Sequence, residues 1–343
     1  MRAMILAAGL GTRLRPLTYV MPKPVAPVLN RPIVARIAEL LARHGFRELV
    51  TNLSYLPEQI RAVLGDGSSF GLEITYSEEP EPLGTAGGVG KVRDFLGETD
   101  SFLIISGDAL TDIDLAAMRA AHEDNVAKGA IATLATKRVD DTTQFGVAIT
   151  DDEGRIQGFQ EKPDAAEALS DLANCGIYMF RREIFDHFPP PDHHSLAGDD
   201  DQPAGFVDWA MDVFPALLDG DIPFYSHEID AYWNDIGSVD EFVQGNLDAL
   251  TGAVRIEPAG SEVERGVWVG DGSDTGGASV KPPVLIGGEC EIGAGVDLHG
   301  PAVVGDGCSL GAGAKLRDCV LLPGAEVPSG ALVVGGLYGV EAA

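Results

Sequence analysis

Residues 6–18 read LAAGLGTRLRPLT, and MPKP follows at 21–24. Leu6, Ala7 and Ala8 close an apolar run, and Gly9 and Gly11 then make a turn whose backbone N–H groups can approach a phosphate with no side chain in the way. Thr12 adds a hydroxyl donor, Arg13 a fork-shaped cation matched to phosphate oxygens, and Lys23 a point charge. The chemistry these types suit is the binding of a phosphorylated ligand. The string is not a Walker A loop, because no GK[ST] follows. The dinucleotide fingerprint is also incomplete, because residue 14 is leucine. Further along, EPLGTAGG (81–88), SGD (106–108), FGV (145–147), FQEKP (159–163), NCGIYMF (174–180) and WNDIG (233–237) each place small or charged residues beside a strand-like run.

Charge sharpens the reading. The chain has 53 acidic and 24 basic residues, a formal charge of −29. That excludes a phosphate-neutralising surface of the kind nucleic acid requires. An anionic ligand is not drawn in by the overall field, so phosphate chemistry must rest on a few local cations and on metal ions. There are seven lysines, and Lys23 and Lys162 both fall inside the motifs above. Cys175, Cys290, Cys308 and Cys319 lack zinc-ligand spacing and are expected as buried thiols. No apolar run has the length of a membrane span, and the N-terminal stretch runs straight into the glycine turn. It reads as a buried first strand, and the expected setting is the cytoplasm, with no membrane partner.

The elements that must position these residues alternate over the first 250 positions. Strands are expected at 3–8, 48–54, 72–77, 101–106 and 130–136, and helices at 33–43, 57–64, 85–95 and 114–125. Further strands are expected at 147–150, 155–160 and 173–180, as an extension covering the ligand. The alternation predicts an α/β domain with a Rossmann-like, mostly parallel sheet. Residues 189–205, rich in Pro, Gly and Asp, read as a loop whose histidines need no metal.

From 251 to 343 the pattern changes. Val280, Ile286, Ile292, Leu298, Val304, Leu310, Leu316 and Leu322 recur every sixth position. Cys290, Val296, Ala302, Cys308, Ala314 and Val320 fill a second inward phase. This is the pattern of a short left-handed parallel β-helix, with Cys290 and Cys308 stacked on adjacent coils and the last coil ending near Pro328.

GxGTRLxPLT with PKP, followed in order by the six motifs, resembles the sugar-1-phosphate nucleotidylyltransferases, most closely mannose-1-phosphate guanylyltransferase-like members with a C-terminal β-helix. The resemblance spans nearly the whole chain. It implies attack by a sugar-phosphate oxygen on the α-phosphorus of a nucleoside triphosphate, with release of pyrophosphate. Both reactants are anionic, so positioning and charge neutralisation supply the catalysis, and no covalent nucleophile is needed. By the resemblance, Asp108 and Asp235 would hold Mg²⁺ as hard oxygen ligands. Arg13 would face the departing phosphates, Lys23 the α-phosphate and Lys162 the sugar phosphate. Glu161, Asn174 and the backbone at Gly146 would meet the sugar. Leu6, Ala7, Ala8, Gly9, Gly11 and Thr12, with Gly84 and Thr85, would line the nucleotide. Glu79 or Glu81 would accept the N–H groups of a guanine edge, which favours GTP, with mannose 1-phosphate as acceptor.

Other readings compete. A thymidylyl-, uridylyl- or adenylyltransferase acting on glucose 1-phosphate would use the same machinery. A β-helix acyltransferase could use His299 as base, although a corner position explains that residue more simply. A regulator that binds nucleotide sugars without turnover would be expected to lack Arg13, Lys23, Asp108 or Asp235, and all four are present. Exposed β-helix coils would suit packing against a second copy of the chain.

Overall fold

The computed structural model describes residues 1–190, 193–195, 197 and 202–339. Contacts group these into two compact units. One comprises Met1–Gly9, Ile37–Ala109 and Ile113–Trp233; the other comprises Leu10–Arg36, Leu110–Asp112 and Asn234–Ala343.

The first unit is built on a nine-stranded sheet. Its strands are β1 (Ala3–Leu6), β2 (Glu48–Leu53), β3 (Glu73–Glu78), β4 (Ser101–Ser106), β5 (Ala132–Arg138), β6 (Gly146–Thr150), β7 (Ile156–Glu161), β8 (Leu172–Arg181) and β9 (Phe224–Glu228). They run in the order β7-β6-β8-β4-β1-β2-β3, with β5 pairing both β8 and β9. The central set β4-β1-β2-β3 is parallel, as runs of Ile, Leu and Val bounded by turn residues demand. β8 runs antiparallel to β4, β5 and β6. Helices α1 (Ile33–Arg43) and α2 (Pro57–Leu64) have the bounds expected from the sequence. The expected helix at 85–95 is instead α3 (Gly84–Lys91) followed by a short turn of helix at Arg93–Leu96. α4 (Leu115–Ala127) starts on Asp114, whose carboxylate accepts from the N–H groups of Ala116 and Ala117. The core packs Met4, Val50, Phe102 and Ile104 of the sheet against Val89 and Leu96, and against an aromatic group of Tyr178, Phe180, Trp209, Phe214 and Phe224. Strand β9 and the helical turns at Trp209–Val213 and Phe214–Asp219 were not expected.

In the second unit, helix α5 (Val239–Thr251) is followed by an antiparallel pair, Ser261–Glu264 with Val267–Val269, and then by short strands that pair in parallel. Asp297–Val304 pairs with Lys315–Leu321 and Glu291–Ile292 with Ser309–Leu310; the strands gather in an eight-stranded and a three-stranded sheet. Leu298 lies opposite Leu316, eighteen positions on, as the repeat predicts, but Ala302 lies opposite Cys319, seventeen on. The register loses one residue there. Cys319 and Leu321 therefore enter the core with Ile286, Leu298, Val304 and Leu310, while Val320 and Leu322 are buried outside it. Parallel pairing also continues past Pro328, through Leu332–Val334 and Leu337–Tyr338. His299, expected at a corner, sits within a strand with Nε2 3.2 Å from Asp297 Oδ1. All four cysteines are free and buried. Among the described residues, no helix is long and apolar enough to cross a membrane.

Candidate active site

In the first unit, β1 delivers Leu6, Ala7, Ala8 and Gly9 at its C-terminal end, where ligands gather in open parallel sheets. Asn52, at the end of β2, accepts the Ala7 N–H at 2.7 Å and donates to Glu79 Oε1 at 2.8 Å. The other oxygen, Glu79 Oε2, accepts the Leu83 N–H at 3.0 Å. Glu79 is thus 2% exposed, with both oxygens engaged in bracing the turn after β1 and the start of α3. Of the two glutamates expected near the base, it faces inward, and Glu81 is the one left exposed. Asp108 follows Gly107 directly after β4 and is half-buried. At Gly107 a Cβ would stand 2.7 Å from the Leu6 carbonyl oxygen, so only glycine lets β1 and β4 end so close together.

The glycines of GTAGG have a structural use. A Cβ on Gly84 would meet the Val207 carbonyl oxygen at 2.5 Å, and one on Gly87 the Gly205 oxygen at 2.4 Å. The Ala86 and Gly87 N–H groups both donate to Val207 O, at 2.9 and 3.0 Å. This draws residues 205–208 over the start of α3. Thr85 Oγ1 donates to Asp208 Oδ2 at 2.8 Å and accepts the Trp209 N–H at 3.0 Å.

Thr85 therefore shares a cavity of about 460 Å³ with Glu161, Asn174, Tyr178, Asp208 and Trp209. The structure brings Glu161 and Asn174, expected at the sugar, into this one space. Thr85, expected at the nucleotide, joins them. Asn174 Nδ2 donates to the Tyr178 hydroxyl at 3.0 Å, and burial pushes the pKa of that phenol up. Gly146 lies opposite Glu161 in the β6–β7 pair, where a Cβ would be 3.0 Å from Glu161 Oε2. Lys162 has a left-handed backbone (φ 45°), uncommon outside glycine and frequent at functional sites. Its N–H donates to Phe145 O at 3.0 Å, and its Nζ lies 3.4 Å from Glu161 Oε1.

In the second unit, Gly11 has φ 61° and opens a 3₁₀ turn, Thr12–Leu14. A Cβ there would press on Lys23 Cβ and Thr18 Cγ2 at 3.0 Å each. Lys23 is 8% exposed, whereas the Arg13 side chain is 56% exposed, with Nη2 3.7 Å from Asp235 Oδ2. Gly237 packs beneath this pair; a Cβ would lie 2.8 Å from Glu241 Oε2, 3.1 Å from Asp235 Oδ1 and 3.2 Å from Arg13 Nη1. Glu241 is a residue the sequence reading missed. Its signal is present, because Ser238-x-x-Glu241 has the capping-box sequence, and Ser238 Oγ accepts the Glu241 N–H at 3.2 Å. Burial first, and then the charge of Asp235, raise the Glu241 pKa, while Arg13 and Lys23 pull it down. Arg13, Lys23, Asp235 and Glu241 thus form one electrostatic group. Paired carboxylates beside two cations are a donor set compatible with a hard divalent ion and phosphate oxygens.

Residues 2–252 match the family model described as nucleotidyl transferase. The chain belongs to that family. Its sequence is 39% identical to the UTP–glucose-1-phosphate uridylyltransferase of a Synechocystis species, over 87% of this chain and 76% of the relative. It is 36% identical to the mannose-1-phosphate guanylyltransferase of Mycobacterium tuberculosis, over 86% of this chain and 76% of the relative. A crystal structure from Bacillus anthracis, provisionally assigned as a glucose-1-phosphate thymidylyltransferase and solved with sucrose, superposes with a TM-score of 0.62. It has 25% identity and covers 75% of this chain and 97% of that one. The nucleotidyl transferase membership and these relatives place the enzyme among the sugar-1-phosphate nucleotidyltransferases.

Proposed function

We propose that the protein joins GTP to mannose 1-phosphate, giving GDP-mannose and pyrophosphate. The observation that carries the choice of base is the division of labour between two glutamates. Glu79 is consumed by Asn52 and Leu83, while Glu81, two residues on, keeps an exposed carboxylate beside the segment leading into α3. A carboxylate accepts from the two adjacent N–H donors of a guanine edge; a uracil edge, with one N–H between two carbonyls, suits a carboxamide better.

In the reaction, a phosphate oxygen of the sugar phosphate attacks the α-phosphorus. The bond from that phosphorus to the bridging oxygen breaks, and pyrophosphate leaves with the electron pair. Lys162 holds the sugar phosphate, and Glu161 and Asn174 receive its hydroxyls. Lys23 neutralises the α-phosphate, and Arg13 the charge growing on the leaving group. Mg²⁺ is the ion we assign to Asp108 and Asp235; when bound, it would neutralise phosphate charge. We further read residues 1–250 as the catalytic part and 251–343 as a left-handed β-helix. This rests on the eighteen-residue register and buried six-residue repeat at Leu298, Val304, Leu310 and Leu316. The setting we assign is the cytoplasm.

A second reading has its own support: a relative at 39% identity is named as a uridylyltransferase of glucose 1-phosphate. Pyrophosphate release measured for four NTPs against mannose 1-phosphate and glucose 1-phosphate separates the two. The highest kcat/KM for GTP with mannose 1-phosphate supports the proposal, and the highest for UTP with glucose 1-phosphate replaces it.

A further inference from the structure

The cavity that holds Glu161 and Asn174 has a wall with its own fastening. Trp209–Val213 forms a single wide helical turn, capped by Asp208, of the π type that recurs at functional sites. Asp208, Trp209, Ala210 and Met211 line the cavity, and Ala197, from a separate segment, completes the wall. Both pieces converge on one carboxylate. Asp212 is buried, with a side chain 1% exposed. Its Oδ2 accepts the Asp208 N–H at 2.7 Å and the Ser195 hydroxyl at 2.5 Å, and its Oδ1 lies 2.8 Å from His193 Nε2. Ser195 in turn accepts the Ala197 N–H at 3.1 Å and, through its carbonyl, the Gln202 amide at 3.0 Å. One chain of hydrogen bonds thus runs from the buried carboxylate to the wall residue Ala197.

A buried carboxylate is costly unless donors surround it. Here three donors do so, and all come from the turn and the strap that wall the cavity. Asp208 extends the same network to the opposite side, with Oδ1 capping the Ala210 and Met211 N–H groups and Oδ2 accepting from Thr85. We infer that Asp212 is a positioning residue for the sugar 1-phosphate. It clamps the strap at His193, Ser195 and Ala197 onto the Asp208–Met211 turn, and so fixes the cavity wall against which the sugar ring is sorted. The inference rests on the cavity being the sugar-phosphate subsite.

The test leaves Asp212 in place, which protects the fold, and cuts the strap's two side-chain links to it. Ser195→Ala, His193→Ala, Ser195→Thr, His193→Gln and Asn174→Ala are assayed with the nucleotide and sugar phosphate of highest turnover. Ser195→Ala and His193→Ala are expected to raise the sugar-phosphate KM about tenfold, the scale of one lost hydrogen bond to a charged acceptor. Their kcat and nucleotide KM are expected to stay within about twofold, and Ser195→Thr and His193→Gln, which keep the donor, to restore the sugar-phosphate KM. If both alanine variants leave that KM within about twofold while Asn174→Ala raises it, the clamp is overturned and the subsite stands. If Asn174→Ala also leaves it unchanged, the subsite reading and the clamp fall together. A rise in both substrates' KM with a lowered melting temperature would show a merely structural role and would overturn the inference as well.

Discussion

At the scale of single residues, two acids two positions apart have opposite lives. Glu79 braces Asn52 and the backbone at Leu83, and Glu81 faces solvent. Glu81→Gln is therefore expected to lower kcat/KM for GTP about ten- to a hundredfold, the value of a charged hydrogen-bond acceptor, with a smaller loss for UTP. Glu79→Gln should lower the melting temperature without changing the order of preference among nucleotides. Lys162→Ala should raise the sugar-phosphate KM, while Arg13→Ala should chiefly lower kcat, each by about thirty- to a thousandfold. Steady-state kinetics with each substrate varied in turn reads both. His122 provides a pH signature of the fold. It is buried between Thr133 Oγ1 and Ser101 Oγ, and burial pulls its pKa down to about 4 from 6.5. The unfolded chain takes up that proton first, so the stability the neutral ring contributes is complete above about pH 6.5. It is lost as pH falls through 4, at up to about 1.4 kcal/mol per unit. Urea denaturation from pH 7 to 4 should show this slope, and His122→Gln should flatten it. The left-handed turn at Gly11, ahead of Thr12–Leu14, was legible because the glycine spacing carries it. The inward turn of Glu79 was not, because its partner Asn52 lies 27 residues away.

At the scale of elements, helices α1 and α2 were legible to the residue, since apolar periodicity, Pro32 and Pro57 at their starts and Gly45 and Gly65 beyond their ends mark them. β9 was not: Phe224–Glu228 reads FYSHE, and its strand character comes from parallel pairing with Ala132–Thr136, some ninety residues earlier in the chain. The six-residue repeat predicted which face of the C-terminal strands is buried up to Leu316. It could not show the residue dropped from the register before Cys319, because that slip appears only when two strands lie side by side. The packing use of the GTAGG glycines was not legible, because it depends on partners distant in sequence: Gly84 and Gly87 make room for residues 205–207, and Gly88 for the Glu79–Asn52 pair. A Cβ at Gly88 would stand 2.5 Å from Glu79 Oε1. Gly88→Ala should therefore destabilise the protein by about 1–3 kcal/mol, measured by urea unfolding.

At the scale of the whole molecule, an enzyme carrying a formal charge of −29 must handle two anionic substrates. The long-range field works against encounter, so raising ionic strength should leave kcat/KM unchanged or increase it. In the reaction we propose, neutralisation falls to few groups, among them Arg13 and Lys23 beside Asp235 and Glu241, and to a bound metal ion. EDTA should abolish pyrophosphate release, and added Mg²⁺ should restore it. One competition tests the proposed transfer most directly. The wild-type protein is given Mg²⁺ with equal concentrations of GTP, UTP, mannose 1-phosphate and glucose 1-phosphate, and the products are identified by mass spectrometry. GDP-mannose as the dominant product, with one pyrophosphate per nucleotide sugar, is the predicted result. UDP-glucose in its place would contradict the reading of Glu81, and nucleotide consumed with no nucleotide sugar formed would contradict the transfer itself.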